Sequence, residues 1–170
     1  AFALEGLAML VREAMKRIRY RINDDSDTGY LDDVLINYIN DSIKYLSHAL
    51  IARNDPILIN ELRVSKNIEN KVPDNFVRFA GGFPVVKKGK RFFLADDESD
   101  YVNTKYFSIP REVASDSDEL PFEGNDTYHA IIIDLAVIYA LNQHEFNVER
   151  DTAMRQELEQ IVTQALGAVG

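Results

Sequence analysis

Residues Val72 to Phe93 read VPDNFVRFAGGFPVVKKGKRFF, a stretch unlike the sequence on either side of it. Prolines and paired glycines break it up, phenylalanines recur through it, and Lys87, Lys88, Lys90 and Arg91 crowd its end, while Asp74 is its only acid. Gly81-Gly82 followed by Pro84 spells a tight turn leading into a strand. PVVKKGKRFFL then has the form of a β-hairpin over residues 84–94, with its turn at Lys88-Gly89-Lys90. A phosphate-gripping role for the glycines fails on spacing. A Walker loop ends in Gly-Lys-Ser/Thr, and a dinucleotide loop needs its glycines between a strand and a helix; neither pattern is met.

On either side the pattern changes to helical. Leu4, Leu7, Val11, Met15, Ile18 and Ile22 recur at the spacing of one amphipathic helix over about 3–22. This makes FALEGLAMLV a helix start rather than a signal peptide. Asn23 to Gly29 (NDDSDTG) is a run of turn formers that stops the helix. Leu31, Leu35, Tyr38, Ser42, Leu46 and Leu50 draw a second stripe, predicting a helix over about 30–52 that Arg53-Asn54-Asp55-Pro56 closes. ILINELRVSK and NTKYFSIP read as strands, so residues 57–110 form a β-rich insertion. After an acidic loop over 112–125, Asp126 is the expected N-cap of the most apolar helix, 126–146, which should be the buried centre. Its core positions are Tyr128, Ile131, Ile132, Leu135 and Ile138. A last helix covers 151–167, with Met154, Leu158, Ile161, Val162, Ala165 and Val169 on one side. The expected fold is mainly α: a bundle of about four helices with a small β-rich hairpin insertion in the middle, in one domain over 1–170.

The 170 residues can bury a substantial core, and 46% hydrophobic content excludes a disordered chain. The longest apolar run, Ala130 to Leu141, is too short to span a bilayer. The chain has no cysteine, which removes disulfides, thiolate metal sites and thiol nucleophiles and suits a soluble protein of a reducing compartment. Net charge is −9, unevenly spread: residues 1–91 sum to +3 and residues 92–170 to −12. Such two-signed polarity suits a molecule that meets a copy of itself head to side, or that offers different faces to different partners.

Candidates for chemistry are few. Counted as a calcium loop from Asp24, the first turn offers Asp24, Ser26, Thr28, Gly29 and Asp32, but the twelfth position, where a bidentate glutamate belongs, is Leu35. An ordinary helix–helix turn, with its Asp and Thr capping the second helix, fits better. His129 and His144 lie fifteen residues apart, roughly 22 Å along a helix, too far to share a metal, and His48 stands alone. No serine sits in a Gly-x-Ser-x-Gly elbow or an S-x-x-K pair. The acids Asp96, Asp97, Glu98 and Asp100 form a dense run of the kind that is usually solvated. The expectation is a protein with no catalytic residue, no metal and no cofactor, and not an enzyme. The basic hairpin beside Phe92 and Phe93 mixes charge with aromatics as single-strand binders do. A small helical nucleic-acid-binding or regulatory protein using residues 84–94 is therefore the alternative reading.

The order of signals resembles the head-to-tail connector (adaptor or neck-ring) proteins of tailed bacteriophages. The likeness is carried by Leu35, Asn37, Tyr38, Ile39 and Asn40 on the second helix and by the turn Val72-Pro73-Asp74-Asn75-Phe76. Tyr128, Ala130, Ile131, Ile132, Asp134, Leu135 and Ala136 on the apolar helix complete it. It spans roughly residues 4–166, while the hairpin and the acidic loop match no part of it. The resemblance implies a structural virion protein, assembled in the host cytoplasm and placed in the neck at the head–tail interface. It would be a homo-oligomeric ring of about a dozen copies that binds the portal protein, docks the next neck or tail protein and extends the DNA channel. Genomic DNA would pass through without specific binding, and no membrane is involved. The hairpin residues Lys87, Lys88, Lys90, Arg91, Phe92 and Phe93 are the candidate contacts to a neighbouring subunit or the next ring.

Overall fold

A computed structural model describes residues 8–24, 29–142 and 148–169. The chain divides into two compact units: a helical one built from Ala1–Ala49 and Glu112–Gly170, and a β unit, Leu50–Arg111.

In the helical unit, α1 is Val11–Arg21, α2 is Asp32–Ala52, α3 is Asp126–Leu141 and α4 is Val148–Leu166. The last turn of α2, from Leu50, belongs to the β unit. α1 buries Val11, Ala14, Met15 and Ile18 along one stripe. It starts later than the periodicity predicts, because Leu10 is extended and bridges Glu119. The backbone N–H groups of Val11 and Arg12 donate to the carbonyls of Asp118 and Asp116, and Leu120 donates back to Met9. That small pairing satisfies two of the N–H groups that a helix beginning at Val11 leaves without partners of its own. Residues 1–7, where the expected helix begins, lie outside the described residues.

Asparagine ends both α1 and α2. Asn23 and Asn54 adopt φ of +57° and +56°. Asp24 N–H returns to the Arg19 carbonyl at 2.9 Å, and Asp55 N–H to that of Leu50 at 3.0 Å. These are Schellman closures, with asparagine in the left-handed position it tolerates better than most residues. Asn125, not the expected Asp126, caps α3, its Oδ1 accepting the Tyr128 N–H at 3.0 Å. α3 buries Ile131, Ile132, Ile133, Leu135, Ala136, Val137 and Ala140, with Tyr128 and Ile138 half-buried. It stops at Leu141, and the Asn142 side chain donates to the Ile138 carbonyl at 2.7 Å. His144, within the helix expected to reach 146, lies outside the described residues. On α4, Leu158 and Val162 are buried and Ala165 is exposed, while Val169, expected on the same stripe, lies exposed beyond the helix end.

The β unit corrects the expected fold class. The middle of the chain is two three-stranded antiparallel sheets rather than a small hairpin added to a bundle of four helices. After a 3₁₀ turn at Pro56–Leu58, β1 (Ile59–Ser65) pairs along its whole length with β6 (Tyr101–Ser108), which pairs on its other side with β3 (Phe76–Phe79). The second sheet has the order β2 (Asn70–Lys71), β5 (Arg91–Leu94), β4 (Val85–Lys88). An aromatic cluster joins the sheets: Phe92 lies 5.2 Å from Phe76 and 5.1 Å from Phe79, ring to ring, with Phe83 and Tyr106 at the margins. Offset and edge-on rings at these distances add stabilisation beyond the area they bury. The physical reason for the correction is that β1 and β6 pair across some forty intervening residues. The unit's core is also drawn from scattered phenylalanines, not from an aliphatic period of two.

Candidate interaction surface

The β4–β5 hairpin occupies the segment predicted for it. Its two-residue loop is Gly89-Lys90, and the positive φ of +60° at Gly89 alone is the signature of a type II′ turn. No side chain crowds Gly89, so the conformation is what calls for glycine here.

Register sorts the six candidate contact residues. Val86 faces Phe93, Lys88 faces Arg91, and Arg91 in turn faces Lys71 of β2. Directly opposed residues and those two apart share a side of a sheet. Lys71, Val86, Lys88, Arg91 and Phe93 therefore form one outward face. All five are exposed, Val86 by 42% and Phe93 by 45%. The Lys88 ammonium sits 5.7 Å from the Phe93 ring centre, and Arg91 forms an exposed ion pair with Glu69 at 3.1 Å. Lys90 projects from the turn, and Lys87 lies on the opposite side, at the edge strand.

Phe92 does not belong with the others. It is 1% exposed, inside the aromatic cluster, and so anchors the hairpin instead of touching a partner. Two members of the outward face, Val86 and Lys71, were not singled out from the sequence. Alternation along β4 could have found Val86. Lys71 joins only through the β2–β5 pairing, which no local pattern announces.

The turn Val72, Pro73, Asp74, Asn75 and Phe76 connects β2 to β3. Asn75 pins it, its side chain donating to the Ile109 carbonyl and its own carbonyl accepting the Ile109 N–H at 3.1 Å. Phe76 then enters the aromatic cluster. Arg78, on β3, lies over the Phe107 ring at 4.6 Å and donates to the Ile51 carbonyl and Asn54 Oδ1, both at 2.8 Å.

Several of the other acidic and histidine candidates have structural partners. In the first turn, Arg19 bridges Asp24 and Asp32, the first and ninth positions of the calcium-loop count, at 2.5 and 2.6 Å. Asp24 also accepts the Gly29 N–H at 2.8 Å. An internal guanidinium thus takes two of the carboxylates a cation would need. Asp25 to Thr28, including Ser26, lie outside the described residues. Asp96 accepts the N–H groups of Glu98 and Ser99, so that acidic run is a capped turn. His129 is buried with its Nε2 2.8 Å from the Pro121 carbonyl, and His48 is exposed. Among the described residues no group of three His, Asp or Glu is placed to hold a metal, and no helix is long and apolar enough to cross a membrane.

The two units divide the charge by the same amounts as the two parts of the sequence do. The β unit carries 11 Lys/Arg against 8 Asp/Glu, a net of +3, and the helical unit carries 8 against 20, a net of −12. In the helical unit, Glu112 to Asn125 holds five acids and no base. Asp118 is tied back to the segment's own backbone. The Ala114 N–H and then that of Ser115 hold its carboxyl below the usual carboxylate range. No family model matches the chain, and no curated protein matches it.

Proposed function

We propose that this chain is a structural subunit of a head-to-tail connector ring in a tailed bacteriophage, docking on a portal and receiving the next neck or tail protein. One observation carries the reading beyond the sequence resemblance: the two units bear opposite net charge, and the basic unit presents an exposed hairpin face of bases around an aliphatic–aromatic pair. A ring repeats one heterologous contact, in which a surface of each subunit meets a different surface of its neighbour. Opposite charges on those two surfaces fix register and suppress wrong pairings. The acid-rich helical unit also suits a channel that passes DNA, since basic walls would bind phosphate and release counterions.

The hairpin supplies the test. Replacing Lys87, Lys88, Lys90 and Arg91 together by glutamate leaves the aromatic anchor Phe92 in place, so the chain keeps its fold by circular dichroism. The prediction is that connectors fail to assemble and the variant virus yields no infectious particles. Normal infectious particles from that variant would overturn the hairpin's part in the reading.

A further inference from the structure

Two features remain without a role in the resemblance: the outward face of the β2–β5–β4 sheet and the acidic segment 112–125. We infer that they are the two halves of one contact, the hairpin face of one copy seating on the 119–123 ridge of a second copy. The inference rests on the ring reading above and names the surfaces that reading leaves open.

The ridge is a held shape rather than a loose acidic tail. Asn40 clamps the start of segment 112–125 through paired bonds with Val113 at 2.9 and 2.8 Å, and backbone bonds between residues 9–12 and Asp116, Asp118 and Leu120 fix its middle. From Glu119 to Glu123 exposure alternates: Glu119 and Glu123 are exposed, Pro121 is half-buried, and Leu120 and Phe122 are buried. What faces outward is therefore acid, proline, acid. The hairpin face sets Val86 and Phe93 side by side in one row and Lys88, Arg91 and Lys71 in the next. A proline seated on the aliphatic–aromatic row, with a carboxylate reaching the basic row beside it, sets an apolar contact next to a charged one.

Single-stranded nucleic acid is the competing occupant of a basic, aromatic face, and the geometry argues against it. Single-strand binders stack successive bases on several rings, whereas Phe93 is the one aromatic side chain among the five exposed residues of this face.

The chain has no cysteine, so single introduced thiols report proximity without background. Full-length chain with Phe93→Cys is mixed with chain carrying Glu119→Cys and treated with a short bis-maleimide. Covalent dimer is expected from this mixture and not from Phe93→Cys mixed with Asp97→Cys. It should fall at least tenfold when Lys88→Glu and Arg91→Glu are added to the first chain, and return when Glu119→Lys and Glu123→Lys accompany them, with Pro121→Cys as the second thiol. Rim charges also predict a steep loss as salt rises from about 0.05 M to about 0.5 M. Equal yield from the Asp97→Cys control, or protection of the Phe93→Cys thiol by a single-stranded oligonucleotide but not by the second chain, overturns the inference. Rings that form on the portal with no 93–119 cross-link overturn it while leaving the connector reading intact. Cross-linked chains that never form a ring on the portal overturn the connector reading and leave the contact standing.

Discussion

At the end of α1, Arg19 reaches into the turn that follows and meets two carboxylates. Its side chain is 8% exposed and that of Asp24 is 6%, so neither charge has much water to fall back on. Asp24 gains a further bond from the Gly29 N–H, and a Cβ at Gly29 would sit 3.1 Å from its Oδ1, which keeps that position small. Removing one member of a buried pair strands the other and typically costs more than the pair itself contributes. Arg19→Ala is therefore expected to lower the unfolding free energy by about 3 kcal/mol, and a double variant Arg19→Met with Asp24→Leu should lower it less. Urea titration of both variants measures this; a cost below about 1 kcal/mol for Arg19→Ala would show that the turn does not depend on the pair. The acids of this turn were visible in the sequence, but their partner was not. Arg19 falls four residues after Met15, at the margin of the apolar stripe, whereas Lys16 and Arg17 stay exposed, but no local pattern names the carboxylates it meets.

Neighbouring phenylalanines in β5 have opposite fates, and the element explains why. Phe92 enters the aromatic cluster with Phe76 and Phe79, while Phe93 points outward beside Val86. Phe92→Ala empties a packed site and should cost roughly 3–5 kcal/mol with a lower melting temperature. Phe93→Ala should leave the melting temperature within a few degrees of wild type and weaken only association between copies. Differential scanning calorimetry and sedimentation velocity on the two variants separate the effects; equal destabilisation would contradict the assigned register. The helices were largely legible, because a 3.6-residue apolar stripe and terminal asparagines are local signals. The sheets were not. β2, β3, β4 and β5 are only two to four residues long, and β1 finds β6 across the whole insertion, so no window of sequence contains both partners. The start of α1 was misplaced for a similar reason, since a bridge to residues 116–120 ends the helix there.

For the whole molecule, the sequence halves suggested a basic front and an acidic back, whereas the fold places the excess of base on the β unit and the acid on the helical unit. The six hairpin residues read as one contact patch divide into an outward face, a turn residue, an edge residue and a buried anchor, and the face gains Val86 and Lys71. Unlike charge on separate units is what a repeating heterologous contact needs, and a platform that brings subunits together raises their effective concentration enough for modest contacts to close a ring. The most direct measurement of the connector reading is particle size and single-particle imaging of the purified chain, alone and mixed with the portal complex. The account predicts a small species alone and a closed ring of chains on the portal, with the β units of successive copies against the helical units of their neighbours. A chain that stays the same size with the portal and adds no density to it would contradict the account.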